Sequence, residues 1–195
     1  MSSSSRPLVL ASRSPRRADL LQAAGFEFEA RAFPDVDETP AAGLEDPREI
    51  VRDLAERKAR SAQLHAPHEL LLTADTLVFL DDQILGKPDD HAEAHAMLRA
   101  LSGRSHVVAT GVALTGPGGR GRIHHVSDAA ATRVHFRELS AEEIEAYVAS
   151  GEPLDKAGAY AIQGGAAGFV TSLEGAEDTV IGLPIEVVRR LLADW

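Results

Sequence analysis

An α/β fold with a mixed sheet is predicted by three observations. Capped helical segments alternate with short apolar, strand-like runs along all 195 residues. Asp81-Asp82 turns a hairpin between Phe79 and Ile84, and a long ribbon runs from Val107 to Val134, so antiparallel pairing must accompany parallel pairing. No Pro/Ser/Gly linker cuts the alternation, so one domain over residues 1–195 is expected.

The elements follow in order. Leu8–Ala11 reads as a strand, followed by a short helix from Pro15 with Ser14 as its cap and Gly25 as its stop. Glu27–Phe33 is a second strand. Asp46-Pro47-Arg48-Glu49 supplies cap, N1 proline and capping box for a helix to about His65, with Val51, Leu54, Ala55, Ala59 and Ala62 on its apolar face. Leu70–Thr73 and Leu77–Leu80 read as two strands on either side of Ala74-Asp75-Thr76. Asp90-His91-Ala92-Glu93 opens a helix that turns Ala94, Met97, Leu98 and Leu101 inward. Val107–Leu114 and Ile123–Val134 form the ribbon, Ser140 opens the next helix, and Phe169–Leu173 is a strand. Pro184 to Trp195 is a last helix with Ile185, Val188 and Leu192 on one face.

Composition excludes several classes. With 44% apolar and 26% charged residues the chain can bury a core. A net charge of −10 argues against non-specific binding to nucleic acid or anionic lipid. The absence of cysteine rules out disulfides, thiolate metal sites and cysteine nucleophiles. Leu70–Leu80 is too short to span a bilayer, and the first residues lack the apolar core of a signal peptide, so a cytoplasmic protein is expected. Of the 20 basic residues only Lys58, Lys87 and Lys156 are lysines. They are either sites that need a compact point charge or survivors of an arginine bias.

Four segments carry chemistry. Ser12-Arg13-Ser14-Pro15-Arg16-Arg17 runs from a strand end into a helix start. Cations in a first helical turn oppose the helix dipole at roughly 0.3–1 kcal/mol each unless an anion arrives. Backbone N–H groups, serine hydroxyls and the guanidiniums of Arg16 and Arg17 would then converge on phosphate oxygens, and this reading is preferred to a surface pair. Asp75 lies within an apolar run, where a carboxylate is costly unless paired, hydrogen-bonded or metal-bound. It either caps a turn between two strands or works as a base or metal ligand. Gly86-Lys87-Pro88 holds a lysine on a short loop but lacks the other parts of a P-loop. In Leu154–Gly165, small residues let backbone approach a flat ligand or form a flexible connection, and Gln163 can both give and accept hydrogen bonds. Lys58 lies at the border of its helix's apolar face, and phase alone favours an ammonium snorkelling at the core edge.

Other patterns are discounted. Gly116–Gly121 matches GxGxxG but precedes a strand-like run, so it reads as a hairpin loop. His91 and His95 stand i,i+4 on a helix without an obvious third ligand, and His124-His125 alternate sides of a strand.

Taken together, Ser12-x-Ser14-Pro15-Arg16-Arg17, Asp37-Glu38, Ala74-Asp75-Thr76, Gly86-Lys87-Pro88 and Asp155-Lys156-Ala157-Gly158, ending in Gly182-Leu183-Pro184, resemble the Maf-like nucleoside triphosphate pyrophosphatases. The Ala157–Gln163 run is similar to the branch acting on dTTP and UTP. The resemblance implies an elongated mixed sheet flanked by helices, in two lobes with a central nucleotide cleft, related to the inosine triphosphatase fold and often a homodimer. It implies Asp75 as the proton acceptor and Arg16, Arg17, Lys58 and Lys87 as triphosphate ligands, assisted by Ser12. Lys156 also falls at a motif position and is expected to bind substrate. Glu38 and Asp75 would hold a divalent metal, magnesium or manganese, while Arg16, Thr76 and Gln163 match positions tied to base preference. The alternatives are the sister branch that hydrolyses 7-methyl-GTP, and a non-catalytic nucleotide-binding regulator of cell division. The loop Ala176–Thr179 departs from the family pattern, and so does Arg13 between the two serines.

Overall fold

Alternation of side chains along the strands decides which helix each sheet face receives. The structure is a computed structural model that describes residues 6–32, 36–62, 68–118 and 122–195. Its elements are β1 (Leu8–Ala11), α1 (Pro15–Ala23), β2 (Phe28–Arg31), α2 (Pro47–Ser61), β3 (Leu70–Leu80), β4 (Gln83–Leu85), α3 (His91–Leu101), β5 (Ser105–Pro117), β6 (Ile123–Phe136), α4 (Ala141–Ala149), β7 (Val170–Glu174), α5 (Glu177–Ile181) and α6 (Ile185–Ala193). The seven strands form one mixed sheet in the order β2-β1-β3-β5-β6-β7, with β4 paired to β3. β1 lies parallel to both β2 and β3, whereas β4 and β7 pair antiparallel with β3 and β6. No helix among the described residues is long and apolar enough to cross a membrane.

The chain forms two compact units, and the boundary falls inside strands. One comprises Met1–Asp75, Thr110–Ala130 and Gly182–Trp195; the other comprises Thr76–Ala109 and Ala131–Ile181. In the first unit, Leu8, Leu10, Leu70, Leu72, Val112 and Leu114 pack with Leu21 of α1 and with Val187, Val188 and Leu191 of α6. The intervening strand residues point the other way. There Val9 and Leu71 meet Ala62, and Ala113 meets Ala55 and Ala59 of α2. Thr73 and Asp75 share the Leu71 phase and so face α2. In the second unit, α3 and α4 cover Val78, Leu80, Val108, Val134 and Phe136, together with Tyr147, Tyr160 and Phe169.

Most predicted starts hold, because caps are local chemistry. Asp46 accepts from the N–H groups of Arg48 and Glu49, Asp90 from that of Glu93, and Ser140 with Glu143 completes a capping box. Ser14 occupies its cap position without a side-chain bond. The two-residue hairpin at Asp81-Asp82 is present, with Leu80 opposite Gln83 and Asp81 at φ 50°. One prediction fails. Leu70–Thr73 and Leu77–Leu80 are not two strands but one, and Asp75 sits inside it rather than at a turn. The departing loop forms the short helix α5. Phe33 and His65, the predicted ends of a strand and a helix, lie outside the described residues.

Candidate active site

A single ammonium joins two carboxylates in the first unit. Lys58 Nζ donates to Glu38 Oε1 at 2.7 Å and also to Asp75 Oδ1. Each partner arrives by a separate route. Asp75 is brought by β3 and is 4% exposed, which an ionised carboxylate tolerates only with a partner. Lys58 comes from the last turns of α2, and its side chain turns to the carboxylates instead of lying along the core edge as its phase favoured. Glu38 is presented by an irregular segment that Arg57 grips. The Arg57 guanidinium donates to the carbonyls of Asp37 and Thr39 at 3.0 and 2.7 Å, and Thr39 N–H closes an Asx turn on Asp37 at 2.8 Å. Helical phase alone places Arg57 on the polar side of α2. Only the Asp37-x-Thr39 turn pattern offered a sign of its role.

Helix α2 is seated against the sheet by two features. Thr73 Oγ1 donates to the carbonyl of Ala55 at 2.8 Å. At Gly111 a Cβ would lie 2.1 Å from the Val51 carbonyl oxygen, so only glycine lets the helix backbone come this close to β5.

Electrostatics mark Asp75. Burial pushes its carboxyl above the usual range, the Lys58 charge and hydrogen bond pull it back, and the Arg17 charge adds to that pull. Arg17 in turn is lowered by burial, an effect that the Asp75 charge opposes and the Arg16 charge reinforces. Arg17 donates Nε–H to the carbonyl of Gly182 at 2.8 Å, so the first and last motifs of the chain meet. Ser12 Oγ accepts from Ser14 N–H at 3.1 Å and from Arg17 at 3.4 Å. Arg16 is half-buried in the same first turn of α1.

Thr76, Lys87, Lys156 and Gln163 belong to the second unit. Thr76 is half-buried next to Asp75 on β3, and Lys87 and Gln163 are exposed. The loop of Lys87 is tied to the glycine-rich run, because Gly158 N–H donates to the Gly86 carbonyl at 2.9 Å. Lys156 is held locally by the Glu152 carbonyl at 2.7 Å and by Asp155. The run itself folds into short 3₁₀ turns, Glu152–Asp155, Ala157–Ala159 and Gly165–Phe169. The room above Gly164 and Gly165 is filled from within the chain. Glu152 accepts from Gly165 N–H at 3.0 Å, and a Cβ on Gly164 would fall 1.6 Å from its Oε1. Tyr147 OH accepts from Ala161 N–H at 3.0 Å and pins the segment before Gln163.

The donor set suits a hard divalent cation that keeps other ligands. No group of three or more His, Asp or Glu among the described residues forms a protein-only cage. Magnesium needs none, since it is bound through one or two carboxylates together with water and substrate phosphates. Glu38 and Asp75 already converge on one cationic atom, the Lys58 ammonium. Of the discounted histidines, His95 pairs with Glu145 at 3.1 Å and His125 Nδ1 lies 2.8 Å from Thr115 Oγ1.

A model of the family described as Maf-like protein matches residues 7–195. The chain belongs to the Maf family. Curated relatives of this Maf chain include the dTTP/UTP pyrophosphatase of Desulfitobacterium hafniense, 48% identical over 98% of the chain and 86% of the relative. Those of Geobacter sp. and Shewanella denitrificans carry the same name. They are 50% and 46% identical, over 94% and 95% of the Maf chain and 93% and 94% of their own lengths. A solved nucleoside-triphosphatase / dITP/XTP pyrophosphatase from Mycobacterium abscessus is 17% identical over 69% of the chain and 76% of its own, with a TM-score of 0.39.

Proposed function

We propose that the protein is a cytoplasmic, metal-dependent pyrophosphatase that hydrolyses dTTP and UTP to the monophosphate and pyrophosphate. The observation that carries the reading is the Lys58–Glu38–Asp75 cluster beside Arg17, together with relatives at 46–50% identity that bear this activity in their names.

Asp75 takes a proton from a water as that water attacks the α-phosphorus, and the α–β bridging oxygen leaves with pyrophosphate. A carboxylate whose proton affinity is raised by burial is a better base than an exposed one. Arg16, Arg17, Lys58 and Lys87 neutralise the charge that develops on the phosphates, Ser12 adds a hydroxyl, and Lys156 contributes to substrate binding. A divalent cation held by Glu38 and Asp75, magnesium or manganese, supplies Lewis acidity when bound. Thr76, Gln163 and Arg16 discriminate the base. The resemblance also leads us to propose a homodimer, which sedimentation equilibrium checks.

Pyrophosphate release from dTTP, UTP, CTP, GTP and 7-methyl-GTP, with magnesium or manganese, tests the reading. Preference for dTTP and UTP is expected. Preference for 7-methyl-GTP would keep the chemistry and overturn the specificity. Nucleotide binding without product would leave a regulator.

A further inference from the structure

Two cations compete for one place in the first unit. The ammonium of Lys58 touches both carboxylates, Glu38 and Asp75, that would hold a divalent ion. A second cation within hydrogen-bond distance of the same oxygens would meet the ammonium at a separation where like charges repel strongly in a partly buried site. Both cannot stay. The Asp75 side chain is only 6% exposed, but those of Lys58 and Glu38 are 23% and 47% exposed, so the cluster opens to solvent on their side. Lysine carries its charge on a flexible four-carbon stem and can move the charge without moving the helix. Oxygen ligands with full negative charge are what a hard divalent ion prefers.

We propose that Lys58 is the resident cation of the metal-free protein, and that it gives up its place between Glu38 and Asp75 when a divalent cation binds, turning its ammonium toward the triphosphate. The exchange rests on the proposed reading of this site as the metal and phosphate centre. Metal binding then converts a carboxylate-paired lysine into a phosphate-seeking one. The ammonium offsets one of the two carboxylate charges before the exchange, and the divalent ion offsets both after it.

Having three lysines in the whole chain makes the test direct. Protein labelled with 13C at lysine Cε shows their signals, which Lys→Arg variants at Lys87 and Lys156 assign, and Mg2+ is titrated in without nucleotide. The Lys58 signal should shift and saturate, while those of Lys87 and Lys156 hold still. As a second measurement, Mn2+ binding to Lys58→Met by calorimetry should tighten by about tenfold over the unsubstituted protein, the equivalent of about 1.4 kcal/mol, and Glu38→Gln should weaken it. A Lys58 signal that stays put at saturating Mg2+, or a Lys58→Met variant that binds Mn2+ no tighter, would overturn the exchange. Pyrophosphate release that continues normally beside a motionless Lys58 sinks the exchange alone. A moving Lys58 with no turnover on any nucleotide sinks the enzymatic reading alone.

Discussion

Thr73 Oγ1 donates to the carbonyl of Ala55 at 2.8 Å, three residues ahead of Lys58 on α2 and two ahead of Asp75 on β3. One hydroxyl thus sets the helix that carries the ammonium against the strand that carries the carboxylate. Replacing it by the isosteric valine removes the donor without opening a cavity. Thr73→Val should cost about 0.5–1.5 kcal/mol of stability and lower turnover severalfold, with Thr73→Ser restoring both. Thermal unfolding and pyrophosphate release measure the pair of effects. If Thr73→Val kept full turnover, the hydroxyl would have no part in placing Lys58.

Asp75→Asn keeps the shape of the side chain and removes the base. General-base assistance is worth roughly 10²–10⁴ in rate, so turnover should fall by at least that order, while calorimetric nucleotide binding without divalent metal changes little. The sign of the pH dependence follows from the environment. Burial raises the Asp75 carboxyl of the metal-free protein, so protons compete with the divalent cation there, and metal affinity measured by calorimetry should fall as pH drops. A variant that turns over normally would remove Asp75 from the mechanism.

Helix starts, the hairpin at Asp81-Asp82 and the long ribbon were legible because their causes lie within a few residues. Asp75 was not legible as a strand-interior residue. Its partner stands 17 residues away, and only folding shows that a buried carboxylate is paired rather than capping a turn. The direction of Lys58 was hidden for the same reason, since helical phase places a residue at a border without saying which way a flexible stem turns. The glycine-rich run misled differently. Composition showed room beside Gly164 and Gly165 but not that Glu152 fills it.

His106 gives a pH signature independent of the site. It is 2% exposed, its Nε2 is 2.7 Å from Tyr160 OH, and its ring stands edge-on to Phe136. Burial, with the charge of His135, pushes it down to about 4. The unfolded chain, near 6.5, therefore binds a proton that the folded chain refuses between about pH 4 and pH 6.5. Its contribution is intact above pH 6.5 and is lost as pH falls toward 4, by about 3 kcal/mol in all. Urea unfolding at pH 7 and pH 4.5 should show a smaller acid loss for His106→Gln than for the unsubstituted protein, the carboxylates contributing equally to both. Equal losses would mean that His106 is not buried neutral.

Gly158 is a position in the second unit where substitution should be costly. Its φ of +67° is costly for any side chain, by roughly 1–2 kcal/mol, and a Cβ would stand 2.9 Å from Cγ2 of buried Val78. Crowding a packed strand adds about 1–3 kcal/mol. The same residue donates its N–H to Gly86, so relief of the clash must also disturb the loop of Lys87. Gly158→Ala should lower the melting temperature by about 4–20 °C, at roughly 2–4 °C per kcal/mol for a chain of this size, and reduce turnover as well. Gly168 is the control, since an added Cβ there meets nothing within 4 Å. Gly168→Ala should melt within about 2 °C of the unsubstituted protein. If the two variants melted alike, the contact with Val78 would not be what holds this turn.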